Sequence, residues 1–366
     1  MARQREVTLR FLAAPTDTGY SGSVDGGRVL EWIDKAAYAL AAGWSGRYCV
    51  TAYVGHIRFT RPVVAGHLVE VTAHLVHTGR SSMHIETTVR SGPPTGDDLL
   101  VTTRCLVVFV AVDDDGRSVE VPRWEPLTED DRAAEALAIR RITLRADIEA
   151  SMAAQRYTDA GTAPRVVLRF LAAPTDVNWG GKVHGGIVME WIDEAAHVLA
   201  TRWTGDARNV AVYAGGVRFY RPLRIGHLVE VEARLLHTGT TSMHISVHVR
   251  SGDPATTELE LTTHCLIVFV PLTPDGHAHD VRPWVPASDE DVALEAHALE
   301  LVALRGAVER RSRTTPEGCT RDGAGTGWSS ARAVSQVARR GYVDQERVRR
   351  RRRTRRPRRP SRPPRG

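Results

Sequence analysis

No stretch of about 18 uninterrupted apolar residues occurs anywhere in the sequence, which excludes a helical membrane span. The first residues, MARQREVTLRFL, open with charge and carry no apolar run, so no secretory signal is expected. Cysteine is scarce too: Cys49, Cys105, Cys265 and Cys319 are all there are, too few for a disulfide scaffold. Two of them sit inside apolar runs, CLVVFV and CLIVFV, where a buried free thiol is the natural reading and a reducing cytoplasm the expected setting. Acidic excess is hidden rather than absent. The net charge is +6, but twelve arginines lie within residues 347–366, RVRRRRRTRRPRRPSRPPRG, and the rest of the chain is net acidic. That tail interleaves Pro rather than aromatic residues and forms no recognisable nucleic-acid-binding domain, so it is read as a solvated extension rather than a nucleic-acid-binding segment.

What is present is one unit written twice. A chain of 366 residues fits two domains of about 150 residues with some chain to spare. Residues 8–44 match 167–203 at a constant offset, with LRFLAAPTD at 9–17 and again at 168–176. After one inserted residue, RFTRPVVAGHLVEV pairs with RFYRPLRIGHLVEV, HTGRSSMHI with HTGTTSMHI, and TTRCLVVFV with TTHCLIVFV. A period this long is a duplicated domain and not a solenoid. The units run over 6–125 and 165–286. A helix and linker fill 126–164, a second helix covers 287–312, and 313–366 is expected to be disordered.

Each unit reads as a short strand, a helix opened by Gly-Gly, and four strand-like stretches. In the second copy Val188, Trp191, Ile192, Ala195 and Leu199 form one helical stripe, with Glu190, Asp193, Glu194 and His197 on another. VTAYVGHIRF, HLVEVTAHLV, MHIETTVR and LLVTTRCLVVFVAV are rich in β-branched residues and largely alternate. Short Gly-containing turns join them, which favours antiparallel neighbours. A sheet curled around one helix, an α+β fold, follows.

The ordered set NWGGKVHGG, MEWIDEAA, RFYRP, GHLVEV and TGTTSM resembles the hotdog-fold acyl-CoA thioesterases, specifically the tandem acyl-CoA hydrolases. The resemblance covers both units, about residues 6–286. It implies hydrolysis of acyl-CoA to a free acid and CoA, no metal and no other cofactor, packing of the two units as an internal pseudo-dimer, and a homo-oligomer such as a trimer of two-unit chains. It also implies a site shared between units: an Asn and a Gly-Gly helix start from one, a helix Asp from the other. Such a site needs a base for water and donors aimed at the oxyanion.

Carried onto this chain, the Asn is Asn178 in the second copy but Gly19 in the first. His184-Gly185-Gly186 is matched by Asp25-Gly26-Gly27. The helix Asp is present twice, as Asp34 and Asp193, while Thr51 is replaced by Ala211. The losses are complementary. One composite site keeps Asn178, His184, Gly185 and Gly186 with Asp34 and Thr51; the other combines Gly19 and Asp25 with Asp193 and is degenerate. Arg80, Ser81, Ser82, Ser242 and Met243 fall where relatives contact CoA, and plain hairpin turns explain them equally well. Arg58, Arg61, Arg218, Arg221 and Arg224 are further candidates for the CoA phosphates, none assigned to a contact. Trp32, Trp44, Trp191 and Trp203 either shorten an acyl tunnel or belong to the core. A hotdog dehydratase or hydratase, and a non-catalytic acyl-CoA-binding protein, are the competing functions.

Overall fold

The computed structural model describes residues 3–312, apart from 20–21 and 97. The Arg-rich tail and Cys319 lie outside the described residues. The first unit runs β1 (Glu6–Leu12), α1 (Gly26–Ser45), β2 (Cys49–Phe59), β3 (Leu68–Thr78), β4 (Ser82–Gly92) and β5 (Leu100–Ala111), followed by α2 (Glu129–Ala153). The second repeats this as β6 (Arg165–Leu171), α3 (Gly185–Thr204), β7 (Asn209–Phe219), β8 (Leu228–Thr238), β9 (Met243–Gly252) and β10 (Glu260–Pro271), then α4 (Asp289–Ser312).

All ten strands form one antiparallel sheet in the order β1-β3-β4-β5-β2-β7-β10-β9-β8-β6. The seam between the units is the β2–β7 pair, with Tyr53 opposite Arg218 and Arg58 opposite Tyr213. Helices α1 and α3 pack against each other inside the curl of this sheet. A single hydrophobic cluster, from Ile33, Leu40 and Phe109 to Ile192, Leu199 and Phe269, spans both units. The fold is thus a tandem hotdog, α+β, with its two halves packed as an internal pseudo-dimer.

Local chemistry explains the helix limits. Both helices end on a left-handed glycine, Gly46 at φ 68° and Gly205 at φ 75°, a conformation that costs glycine little. At their starts, the second glycine of each pair sits where the helices cross. A Cβ on Gly27 would lie 2.5 Å from Glu190 Cα, and one on Gly186 would lie 2.6 Å from Glu31 Cα. Gly27 and Gly186 therefore let backbones approach, and Glu190 and Asp193 of the polar stripe lie against the partner helix, while Glu194 stays exposed. Asp34 and Asp193 are 2% and 8% exposed.

The outer face of the sheet is covered by α2, lying on β3 and β7, and by α4 on β8. Ile148, Met152, Leu236, Leu266, Leu294 and Leu301 form a second, smaller core there. Strand β9, with Tyr157 of the linker against its His248, is buried along nearly its whole length where its counterpart β4 alternates. Glu290 and Asp291 at the start of α4 fasten the linker, accepting from Thr158 and Thr162. No helix among the described residues is long and apolar enough to cross a membrane.

Candidate active site

The start of α3 and the middle of α1 meet at one end of the helix pair. Asp34 comes from α1 in the first unit. Thr51, on β2, donates its hydroxyl to Asp34 Oδ1 at 2.7 Å. From the second unit, Gly186 N–H approaches Asp34 Oδ2 at 3.3 Å, and His184 Nδ1 lies 3.0 Å from the same oxygen. His184 is the residue just before α3, and its Nδ1 is also 3.1 Å from Gly186 N. Nδ1 cannot serve both contacts at once. Unprotonated, it accepts from Gly186 N–H; protonated, it donates to Asp34, and Gly186 N–H is left to that carboxylate. The three groups share one proton position between two arrangements.

Asn178 stands in the loop before α3. Its Oδ1 accepts from Gly180 N at 2.8 Å, Lys182 N at 3.1 Å and the Tyr48 hydroxyl at 3.2 Å. Three donors on the oxygen fix which way the amide faces and leave Nδ2, 3.4 Å from Val183 O, as its donor side. Gly185 is the first residue of α3, so its N–H has no intrahelical partner and lies at the positive end of the helix dipole. A Cβ there would crowd Thr51 Oγ1 at 2.9 Å and Asp34 Oδ2 at 3.3 Å.

These residues line a cleft of about 850 Å³ with Arg47, Lys182 and Arg221 among its basic groups. Asp34, Thr51, Asn178, His184 and Gly185 all face it, and Gly186 adjoins them. Three residues were not singled out from sequence: Tyr48, which holds Asn178; Tyr38; and Trp179, stacked on Tyr38 at 4.5 Å and 8°. Tyr48 and Tyr38 differ from their counterparts Arg208 and His197, the one signal that marks them.

Arg80, Ser81, Ser82, Ser242 and Met243 do not line this cleft. The carbonyls of Arg80 and Ser81 accept from Val121 and Ala111, Ser242 Oγ meets His244 at 3.4 Å, and Met243 is fully buried. Of the other arginines, Arg221 lines the cleft and pairs with Glu260, while Arg218 pairs with Glu149 on α2. The four tryptophans near the helices are packing residues. Trp32 and Trp191 meet Phe11 and Phe170 edge-on, and the indoles of Trp44 and Trp203 donate to Pro122 O and Arg282 O.

The symmetry-related position keeps the helix contact and loses the rest. Gly27 N–H approaches Asp193 Oδ2 at 3.3 Å, but Ala211 offers no hydroxyl. Asp25 replaces the histidine, and its carboxylate fills the space a side chain at position 19 would need: a Cβ on Gly19 would lie 1.8 Å from Asp25 Oδ1. Burial, and then the neighbouring Asp25 carboxylate, push the Asp193 carboxyl up to about 7. Asp25 is itself raised, chiefly by burial. The half-buried Asp25 carboxylate thus disfavours the ionised form of Asp193 and adds a second negative group to this position.

Among known proteins, the model of the thioesterase superfamily matches this chain twice, over residues 21–97 and 180–258. A cytosolic acyl coenzyme A thioester hydrolase of Mus musculus is 23% identical over 78% of this chain and 79% of its own length. The acyl-CoA thioester hydrolase YciA of Salmonella typhimurium is 34% identical over 30% of this chain and 85% of its own. A solved structure from Lactobacillus plantarum, assigned as an oleoyl thioesterase, has a TM-score of 0.52 at 11% identity, covering 73% of this chain and 97% of that one, and so shares the fold. With the hotdog unit matched in both halves and most of one relative aligned at 34% identity, the chain belongs to the thioesterase superfamily, as a tandem hotdog thioester hydrolase of the acyl-CoA hydrolase family.

Proposed function

We propose that the protein hydrolyses acyl-CoA to a free carboxylic acid and CoA at one composite site, the one built on Asp34 and Asn178. The observation that carries this reading is the meeting of Asp34 Oδ2 from the first unit with His184 Nδ1 and Gly186 N–H from the second, at 3.0 and 3.3 Å. In this mechanism Asp34 is the general base that takes a proton from water as the water attacks the thioester carbonyl. Thr51 and Gly186 hold the carboxylate in orientation. The developing oxyanion is met by the Gly185 N–H and by Asn178 Nδ2. Collapse of the tetrahedral intermediate expels the CoA thiolate, which recovers the proton from the Asp34–His184 pair.

His184 is a positioning residue in this scheme, and its proton decides whether Gly186 N–H points at the imidazole or at Asp34. The degenerate site lacks the amide and the hydroxyl and places Asp25 where negative charge would develop. The His184–Asp34 contact also suits an acid–base pair, the arrangement of hotdog dehydratases. Loss of the enoyl absorbance without thiol release would establish that second reading.

The test is thiol release from acyl-CoAs of short to long chain by the wild type, Asp34→Ala and Asp193→Ala. Removing the base costs on the order of 10² to 10⁴ in rate, so Asp34→Ala is expected to be inactive and Asp193→Ala close to normal. Equal losses in both variants would sink the single-site reading. Homo-oligomeric assembly, such as a trimer of chains, belongs to the same proposal and is checked by light scattering. A cytosolic setting accords with the free thiols of Cys49, Cys105 and Cys265.

A further inference from the structure

The walls of the cleft bear on which acyl group it takes, given the thioesterase reading above. Aromatic residues make up 6% of the chain, yet Tyr38, Tyr48, Phe109, Trp179, Phe219 and Tyr220 all line this one cleft. Among the described residues Trp179 is the one tryptophan in an exposed position, 67% accessible. The indole lies flat on Tyr38, and the Tyr38 ring in turn meets Phe109 edge-on at 6.1 Å and Tyr48 at 6.3 Å.

The position of this stack is set by the reacting groups. Tyr38 is one helical turn beyond Asp34 on α1, and Trp179 follows Asn178 directly. The indole centroid is 5.9 Å from that of His184. An acyl group whose carbonyl sits at Asp34 and Gly185 therefore meets the stack within its first few atoms. At the degenerate end, His197 and Arg208 stand in place of the two tyrosines, and no such stack occurs there among the described residues.

A large aromatic face left in water at the edge of this cleft favours a ligand that covers it. Saturated groups gain from area alone. Flat rings gain an offset-stacking contribution as well. We infer that Trp179 and Tyr38 form the acyl-specificity element of this enzyme and select acyl groups that carry a flat aromatic ring close to the thioester.

The experiment compares kcat/KM for phenylacetyl-CoA and cyclohexylacetyl-CoA, equal in carbon count, in the wild type, Trp179→Leu and Trp179→Phe. The ratio of the two is expected to fall by about threefold to tenfold in Trp179→Leu and to be largely kept in Trp179→Phe, as befits stacking. A ratio unchanged in Trp179→Leu overturns the inference. So does a change in ratio that disappears with the matching N-acetylcysteamine thioesters, since the contact would then be with the CoA carrier. A wild type that releases no thiol from any thioester overturns the hydrolase reading itself, a result distinct from either.

Discussion

Replacing Asp193 by Asn should stabilise the protein, and more so as the pH rises. Asp193 is 8% exposed, and its carboxyl is pushed from 3.8 to about 7 by burial and by Asp25. Between these two values the folded state binds a proton that the unfolded state has released, so stability falls as pH rises through that window. At about 1.4 kcal/mol per unit, the penalty is ~1.5 kcal/mol near pH 5 and roughly 4 kcal/mol by pH 8. Asparagine never ionises and escapes both. The intrinsic cost of the amide is the same at each pH and cancels from the comparison, leaving a growth in advantage of about 2.5 kcal/mol between pH 5 and pH 8. At ~2 °C per kcal/mol for a chain of this size, the melting-temperature gap between variant and wild type should widen by about 5 °C. Thermal melts followed by circular dichroism at the two pH values read this directly. A gap that stays constant, or narrows towards pH 8, would refute the reasoning, because Asp193 would then be ionised in the folded protein throughout.

Other consequences are more local. Thr51→Val removes the hydroxyl 2.7 Å from Asp34 Oδ1 and should lower kcat about tenfold with little change in stability, whereas Ala211→Val at the matching place should leave steady-state kinetics unchanged. Gly186→Ala drives a methyl to 2.6 Å from Glu31 Cα and should destabilise by about 1–3 kcal/mol in urea unfolding. Gly19→Asn alone should also destabilise, since its Cβ meets the Asp25 carboxylate at 1.8 Å. Joined to Asp25→His and Ala211→Thr, it should recover that stability and raise kcat per chain towards about twice the wild-type value; a triple variant as unstable as Gly19→Asn would show that Asp25 is not what closes the second site.

The duplication and the helix starts were legible in the sequence, because each is carried by a local motif compared with its own copy; the expectation that Asp34 and Asn178, which line one cleft, act together came from the family resemblance. What is reached over long distances was not. Tyr48 contacts Asn178 from 130 residues away, and nothing in RYCV announces that. The burial of both helix aspartates was hidden as well: a polar stripe at i, i+3, i+4 has the same spelling whether it faces water or a second helix. The glycines of HGG and DGG were legible as a helix start, but not that the second of each pair lies against the backbone of the opposite helix. Arg80 to Ser82 and Ser242 to Met243 carry hairpin and core contacts away from the cleft, a distinction that only register and curvature make.

The β2–β7 seam makes one continuous sheet out of two copies on a single chain. In a symmetric dimer of separate identical chains, every substitution falls on both sites together, so an asymmetric pair cannot be inherited. Joining the copies head to tail separates their fates. A change at Gly19 or Asp25 is confined to one end of the helix pair, and the opposite end is free to acquire Trp179 and Tyr48 against Tyr38. Covalent fusion is in that sense the condition under which one half of a twofold machine can specialise while the other serves as its scaffold.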